Sequence, residues 1–192
     1  MKRCRGTALL MCMLMVAVVL LLGVSGARIA LQDERAARND RDRKMAFQAA
    51  EAALLDAQID IGLATDSARG AMFGAGAPAF PAGCGAGALL GLCAGLADAP
   101  AWLMVDFTMA DAAQARTVAY GQFTGQRMQV GMGALPQRLP RYLIEAYADR
   151  RAGAGADFAA GARIYRISAM GFGVQDGSRV LLQAWYRRPG AF

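Results

Sequence analysis

Four cysteines and a scatter of carboxylates are the side chains in this sequence with chemistry to offer. Histidine is absent. Its absence removes the commonest general base and the commonest metal ligand, and with them any Ser–His or Cys–His dyad. Cys4 lies in a basic stub and Cys12 in an apolar run, whereas Cys84 and Cys93 flank a Gly-, Ala- and Leu-rich stretch. Metal binding there would want further ligands, and neither His nor a second Cys pair is at hand. Two readings remain for Cys84 and Cys93. A disulfide closing a loop of about ten residues is the simpler one, worth roughly 2–3 kcal/mol by loop closure. Two buried thiols are the other. A bridge presupposes an oxidising compartment such as the bacterial periplasm.

The carboxylates make no catalytic pair. Asp106 with Asp111, and Glu145 with Asp149, read as surface charge rather than an acid–base couple. Asp33, Glu34, Asp40 and Asp42 lack the glycine turn of a calcium loop. The 23 glycines form no phosphate-binding fingerprint. Met11, Met13 and Met15 are apolar filler, not copper ligands. Arg141 and Glu145 lie four apart on one strand side and can form structural pairs. No enzyme, cofactor or metal site is expected from these residues.

Length, charge and hydropathy give the frame. The 192 residues suffice for one domain plus an anchor. Net charge is +6, and Lys2, Arg3 and Arg5 supply half of that excess. No long basic block follows, so no nucleic-acid partner is expected. Thr7–Val24 is free of charge. Its length as a helix, roughly 27 Å, matches a bilayer core. Three readings compete: a secretory signal cleaved near Ser25-Gly26-Ala27, an uncleaved anchor, and a short basic leader ending at Gly6. Basic residues flank both sides, so the positive-inside rule does not set orientation.

The elements that position these residues are one helix and a sheet. No proline occurs before Pro78, and helix formers dominate from Leu9 to Ile61. After Lys44, helical spacing puts Phe47, Ala50, Leu54, Ala57 and Ile61 on a face to bury, with Glu51, Asp56 and Asp60 outward. About 53 residues would reach roughly 80 Å. Residues 65–100 read as Gly- and Pro-rich loop. Strands are expected at 103–109, 117–124, 126–130, 141–147, 163–172 and 180–186, with a turn at Asp176-Gly177-Ser178. Tyr142, Ile144 and Ala146 share a face, as do Tyr165, Ile167 and Ala169. The expected fold class is α+β: a long N-terminal helix packed on an antiparallel sheet with one buried face.

The helix carries Asn39-Asp-Arg-Asp-Arg-Lys-Met-Ala-Phe-Gln-Ala-Ala-Glu-Ala-Ala-Leu54. This stretch resembles the segment that follows the membrane helix in PilX-type minor pilins. Arg43, Phe47, Gln48 and Glu51 are its motif positions. The start Arg5-Gly6-Thr7-Ala8-Leu9 is similar to the family's leader junction. Val118–Gly125, Pro140–Glu145, Ile164–Gly171 and Val180–Tyr186 are similar to its sheet segments, and Gly91-Leu92-Cys93 to its "GLC" stretch. The likeness spans nearly the whole chain, with the helix motif its most specific piece.

The resemblance implies a pilin-like fold in four parts: leader 1–6, membrane and filament-core helix 7–27, amphipathic helix 28–64 and globular domain 65–192. It implies cleavage between Gly6 and Thr7 by prepilin peptidase, N-methylation of Thr7, and a single-pass inner-membrane subunit facing the periplasm. The implied partners are other minor pilins, the major pilin and a PilC/PilY-type tip adhesin. One departure stands out. Most pilins have Glu as the fifth residue of the mature chain, and here that residue is Met11. The lack implies a place at the pilus tip, in a complex that primes assembly, adhesion and twitching. The rivals are a type II secretion pseudopilin and a secreted periplasmic enzyme or binding domain.

Overall fold

A computed structural model describes residues 7–74, 77–109, 111, 113–148 and 163–188. The chain divides into two compact units, Met1–Arg41 and Asp42–Phe192. Helix α1 runs from Thr7 to Ile61. In the first unit its residues are all exposed, among them Leu9, Leu14, Val19 and Leu22. That stretch is long and apolar enough to cross a membrane.

In the second unit the rest of α1 buries Asp42, Ala46, Ala49, Ala50, Ala53, Asp56, Ala57, Asp60 and Ile61. These positions recur every three or four residues, as one helix face requires. Ala50, Ala57 and Ile61 are buried as expected and Leu54 packs against the core, but the face takes in two acids and leaves out the aromatic ring. Phe47 is 43% exposed, while Asp56 and Asp60 are buried. Close approach explains why the ring is left out. A Cβ on Gly171 would lie 2.0 Å from the Ala46 carbonyl oxygen and 2.4 Å from the Ala50 nitrogen. An aromatic ring cannot enter so narrow a gap, whereas alanines can.

The sheet is built from β1 (Leu92–Ala94), β2 (Val118–Ala119), β3 (Arg141–Ala148), β4 (Arg163–Phe172) and β5 (Arg179–Tyr186). The order is β1-β3-β4-β5, with β2 also paired to β3. β2–β3, β3–β4 and β4–β5 are antiparallel. β1 runs parallel to β3 and sits within the stretch expected to be loop throughout. The α+β class therefore holds, with a mostly antiparallel sheet.

Both sheet faces are covered, not one. Between α1 and the sheet lie Ala53, Ala57, Ile61, Tyr142, Ile144, Tyr165, Ile167 and Ala169, joined by Phe73 and Phe80. The opposite face holds Cys84, Cys93, Ala101, Phe107 and Leu143. A short helix, α2 (Ala101–Met104), replaces the strand expected at 103–109. Asp106 stops extension there by accepting bonds from the Thr108 nitrogen and hydroxyl, each at 2.7 Å. The strand expected over 117–124 is cut to β2, because Gly121 turns the chain at φ +76°. Residues 126–130 form no strand.

Candidate functional site

Two surfaces of α1 divide the work in the second unit. The inner face carries carboxylates, each tied to a different loop. Asp42 accepts bonds from the Val174 and Gln175 nitrogens, gripping the β4–β5 turn. Asp56 accepts from the Gly121 nitrogen at 2.7 Å and from the Thr124 hydroxyl. Asp60 accepts from Arg69 Nε at 2.8 Å and from the Tyr142 hydroxyl at 3.0 Å.

Arg69 is the hub of this side. It is only 4% exposed. Its Nη1 donates to the carbonyls of Ala88 and Leu90, both at 2.8 Å. Its guanidinium lies 4.0 Å from the Phe123 ring centroid and 5.5 Å from that of Phe73. A buried charge so bonded is satisfied on every side. Burial pushes the Tyr142 hydroxyl far up, helped by the nearby Asp60 and Asp56 charges. Burial also raises the Asp56 carboxyl, against the pull of its Thr124 and Gly121 donors.

Across the sheet, Glu145 plays the matching part. It is buried, not on the surface as expected. It accepts from the Ala101 nitrogen at 2.8 Å and from Arg166 at 2.9 Å through both Nε and Nη2. Its hydrogen bond raises the Arg166 guanidinium, against burial. Arg141, proposed above as a neighbour for Glu145, instead donates to the Thr117 hydroxyl and carbonyl, both at 2.7 Å. Asp149, the other carboxylate considered beside Glu145, lies outside the described residues. These acids position loops. Among the described residues no cluster of three or more His, Cys, Asp or Glu could hold a metal.

The outer face of α1 holds the motif side chains. Arg43, Phe47, Gln48 and Glu51 are all exposed. Leu55 and Ile59 extend the same face at helical spacing and are also exposed. Phe47, Glu51, Leu55 and Ile59 thus form a row at steps of four. None of the four packs into the core of its own domain.

Cys84 and Cys93 are disulfide-bonded, with Cα atoms 4.2 Å apart. The bridge ties the loop before the 3₁₀ turn Gly87–Leu89 to β1, and both cysteines lie in the cluster on the sheet face away from α1. Thr7 is the first described residue and is helical, whereas Gly6 lies outside the described residues. Met11 is 72% exposed on the apolar stretch. The sequence reading missed Asp42, Asp56, Asp60 and Arg69 as loop-holding groups. The available signal was phase: the three acids recur in step with Ala46, Ala49, Ala53 and Ala57.

The whole arrangement is a helix with one face committed to its domain and the remainder open. No curated protein and no solved structure matches the chain. Two family descriptions do match. Residues 5–55 match "PilX N-terminal", and residues 63–188 match "Type IV pilus assembly protein PilX C-term". Together they span the helix, the bridged loop and the sheet, so the chain belongs to the PilX family of type IV pilus assembly proteins.

Proposed function

We propose that this protein is a minor pilin of the complex that primes type IV pilus assembly and remains at the pilus tip. The observation that carries the reading is the outward row of Phe47, Glu51, Leu55 and Ile59. Apolar side chains that a domain leaves uncovered on a helix seek cover elsewhere. The exposed apolar stretch from Thr7 supplies a longer surface of the same kind, first for lipid and then for neighbouring helices. The mechanism is geometric: α1 packs against the helices of other pilins, and the sheet domain presents its partner-binding surface.

Met11 bears on the position in the filament. A carboxylate at that place would need a cationic partner in the apolar layer. A Met needs none and makes no such link to a preceding subunit. A tip place requires no preceding subunit. On this reading prepilin peptidase cuts between Gly6 and Thr7, Thr7 is methylated, and the domain faces the periplasm before assembly. Other minor pilins, the major pilin and a PilC/PilY-type adhesin are the partners.

Deletion of the gene tests the function. Surface pili should fall to a small fraction of the parental count and return on complementation. Unchanged pili with impaired protein secretion would move the chain to a type II pseudopilus. Sequencing of the mature N-terminus tests the leader: a start at Thr7 supports it, and a start at Arg28 overturns the pilin reading.

A further inference from the structure

The outer row of α1 has a chemical order of its own. At steps of four it reads Arg43, Phe47, Glu51, Leu55: a cation, an aromatic ring, a carboxylate and an apolar chain. All four are exposed. Among the described residues neither Arg43 nor Glu51 has an ion-pair partner. The residues three and four away from Glu51 are Phe47, Gln48, Leu54 and Leu55, so its own helix offers it no cation. Arg43 and Glu51 are themselves eight residues apart, roughly 12 Å along the axis, and do not meet.

The complement of this row occurs once in α1. On a parallel helix, an acid followed eight residues later by a base would face Arg43 and Glu51 together. Asp33 and Arg41 have that spacing. The other acids do not: eight residues past Glu34, Asp40, Asp42 and Glu51 stand Asp42, Gln48, Ala50 and Ile59, and eight past Asp56 and Asp60 the helix has ended. Asp33 and Arg41 are exposed and, among the described residues, have no ion-pair partner either. The same offset sets exposed Ala37, a single methyl, under the Phe47 ring and partly buried Met45 against Leu55.

An antiparallel pairing also matches the charges, Arg43 of each copy on Glu51 of the other. The apolar end of the row decides between the two. Antiparallel, Leu55 and Ile59 face Asn39 and Arg35. Covering a carboxamide or a guanidinium with an apolar chain costs free energy, because neither gains a bond there. Parallel, Leu55 faces the pliable thioether of Met45.

We propose that this row docks on a second copy of the same chain, parallel to the first and staggered by ten residues, with Arg43 on Asp33 and Glu51 on Arg41. Ten residues are roughly 15 Å along a helix. The contact is head-to-tail, since the two rows are different surfaces of α1. It joins one copy to another with no carboxylate at Met11.

The pairing rests on the assembly function above, and the test separates the two. Two differently tagged copies of the full chain, both Cys12→Ser, are made in cells that hold the other pilus components. One carries Phe47→Cys and the other Ala37→Cys. Mild oxidation should link the two tags, and Phe47→Cys copies alone should stay unlinked. A link between two Phe47→Cys copies, a link only to another pilus component, or no link overturns the pairing. Glu51→Arg in the Phe47→Cys copy should cut the linked fraction by about tenfold, and Arg41→Glu in the other copy should restore it. Loss without rescue, or no loss, also overturns it. Glu51→Arg should leave the unfolding midpoint unchanged, because the side chain is exposed. If gene deletion leaves pili unchanged, the assembly function fails. If deletion removes pili but the cysteine pair stays unlinked, only the pairing fails.

Discussion

Gly171 of β4 lies so close beneath α1 that a Cβ there would stand 2.0 Å from the carbonyl oxygen of Ala46. Backbone, not side chain, sets the spacing between helix and sheet at that point. A Gly171→Ala variant must therefore push the helix away. The expected cost is about 1–3 kcal/mol or more, typical of overpacking. Urea unfolding of the full chain in detergent checks it, and a loss within error of zero would falsify the close packing.

Asp60 and Arg69 form a buried pair whose members depend on each other. Asp60→Ala should cost about 3–5 kcal/mol, since Arg69 is left charged and buried. Asp60→Ala combined with Arg69→Met should cost clearly less than the two single changes summed. Strict additivity in that cycle would mean the pair is not coupled.

The Cys84–Cys93 bridge constrains the unfolded chain. Replacing both with Ser should lower stability by roughly 2–3 kcal/mol. Dithiothreitol should have the same effect on the parent and none on the double variant. Thiol labelling without reductant should reach Cys12 but neither Cys84 nor Cys93.

Asp56 gives an inverted pH dependence. Burial holds its folded-state value above the usual 3.8. The folded chain then binds that proton more tightly than the unfolded chain does. The resulting stability is fully present below 3.8 and is lost as pH rises through the raised value. The advantage of the parent over Asp56→Asn should shrink as pH rises across that window. Denaturant titrations at several pH values would expose the opposite slope if the carboxyl were instead held ionised.

Phe47 separates folding from assembly. Its ring is 43% exposed and lies on the face turned from the sheet. Phe47→Ala should change stability by less than about 0.5 kcal/mol. Surface pili should nonetheless decline. A fully piliated Phe47→Ala, Leu55→Ala double variant would remove the outer row from the assembly surface.

Much of this was legible in the sequence, and the failures have physical causes. The apolar span, the uninterrupted helix, the α+β class and strands β3, β4 and β5 all follow from period and composition. The helix phase did so only in part. Ala50, Ala57 and Ile61 are buried and Leu54 packs against the core, but Phe47 invited burial by hydrophobicity where the gap at Gly171 admits only alanine. Asp56 and Asp60 looked like solvated charges because their partners are remote: Gly121, Thr124, Arg69 and Tyr142 are distant in sequence or hidden in loops. β1 escaped notice because three residues between glycines carry no period. Glu145 escaped because Ala101 and Arg166 come from other elements. Arg43, Phe47, Gln48 and Glu51 share the exposed face of the helix, a place that the hydrophobicity of Phe47 argued against.

The three acids of the inner face have a mechanical meaning. Asp42 and Asp60 are eighteen residues apart, roughly 27 Å along a helix axis. Between them the helix lays alanines on the sheet, against backbone at Gly171 and against Tyr142, Ile144, Tyr165 and Ile167 farther along. A pull along the helix therefore acts on this joint in shear. The load is shared by anchors at Asp42, Asp56 and Asp60 instead of peeling them one by one. Such a joint holds until all its anchors yield together, and the polar bonds at its two ends set the force at which the domain lets go of its helix.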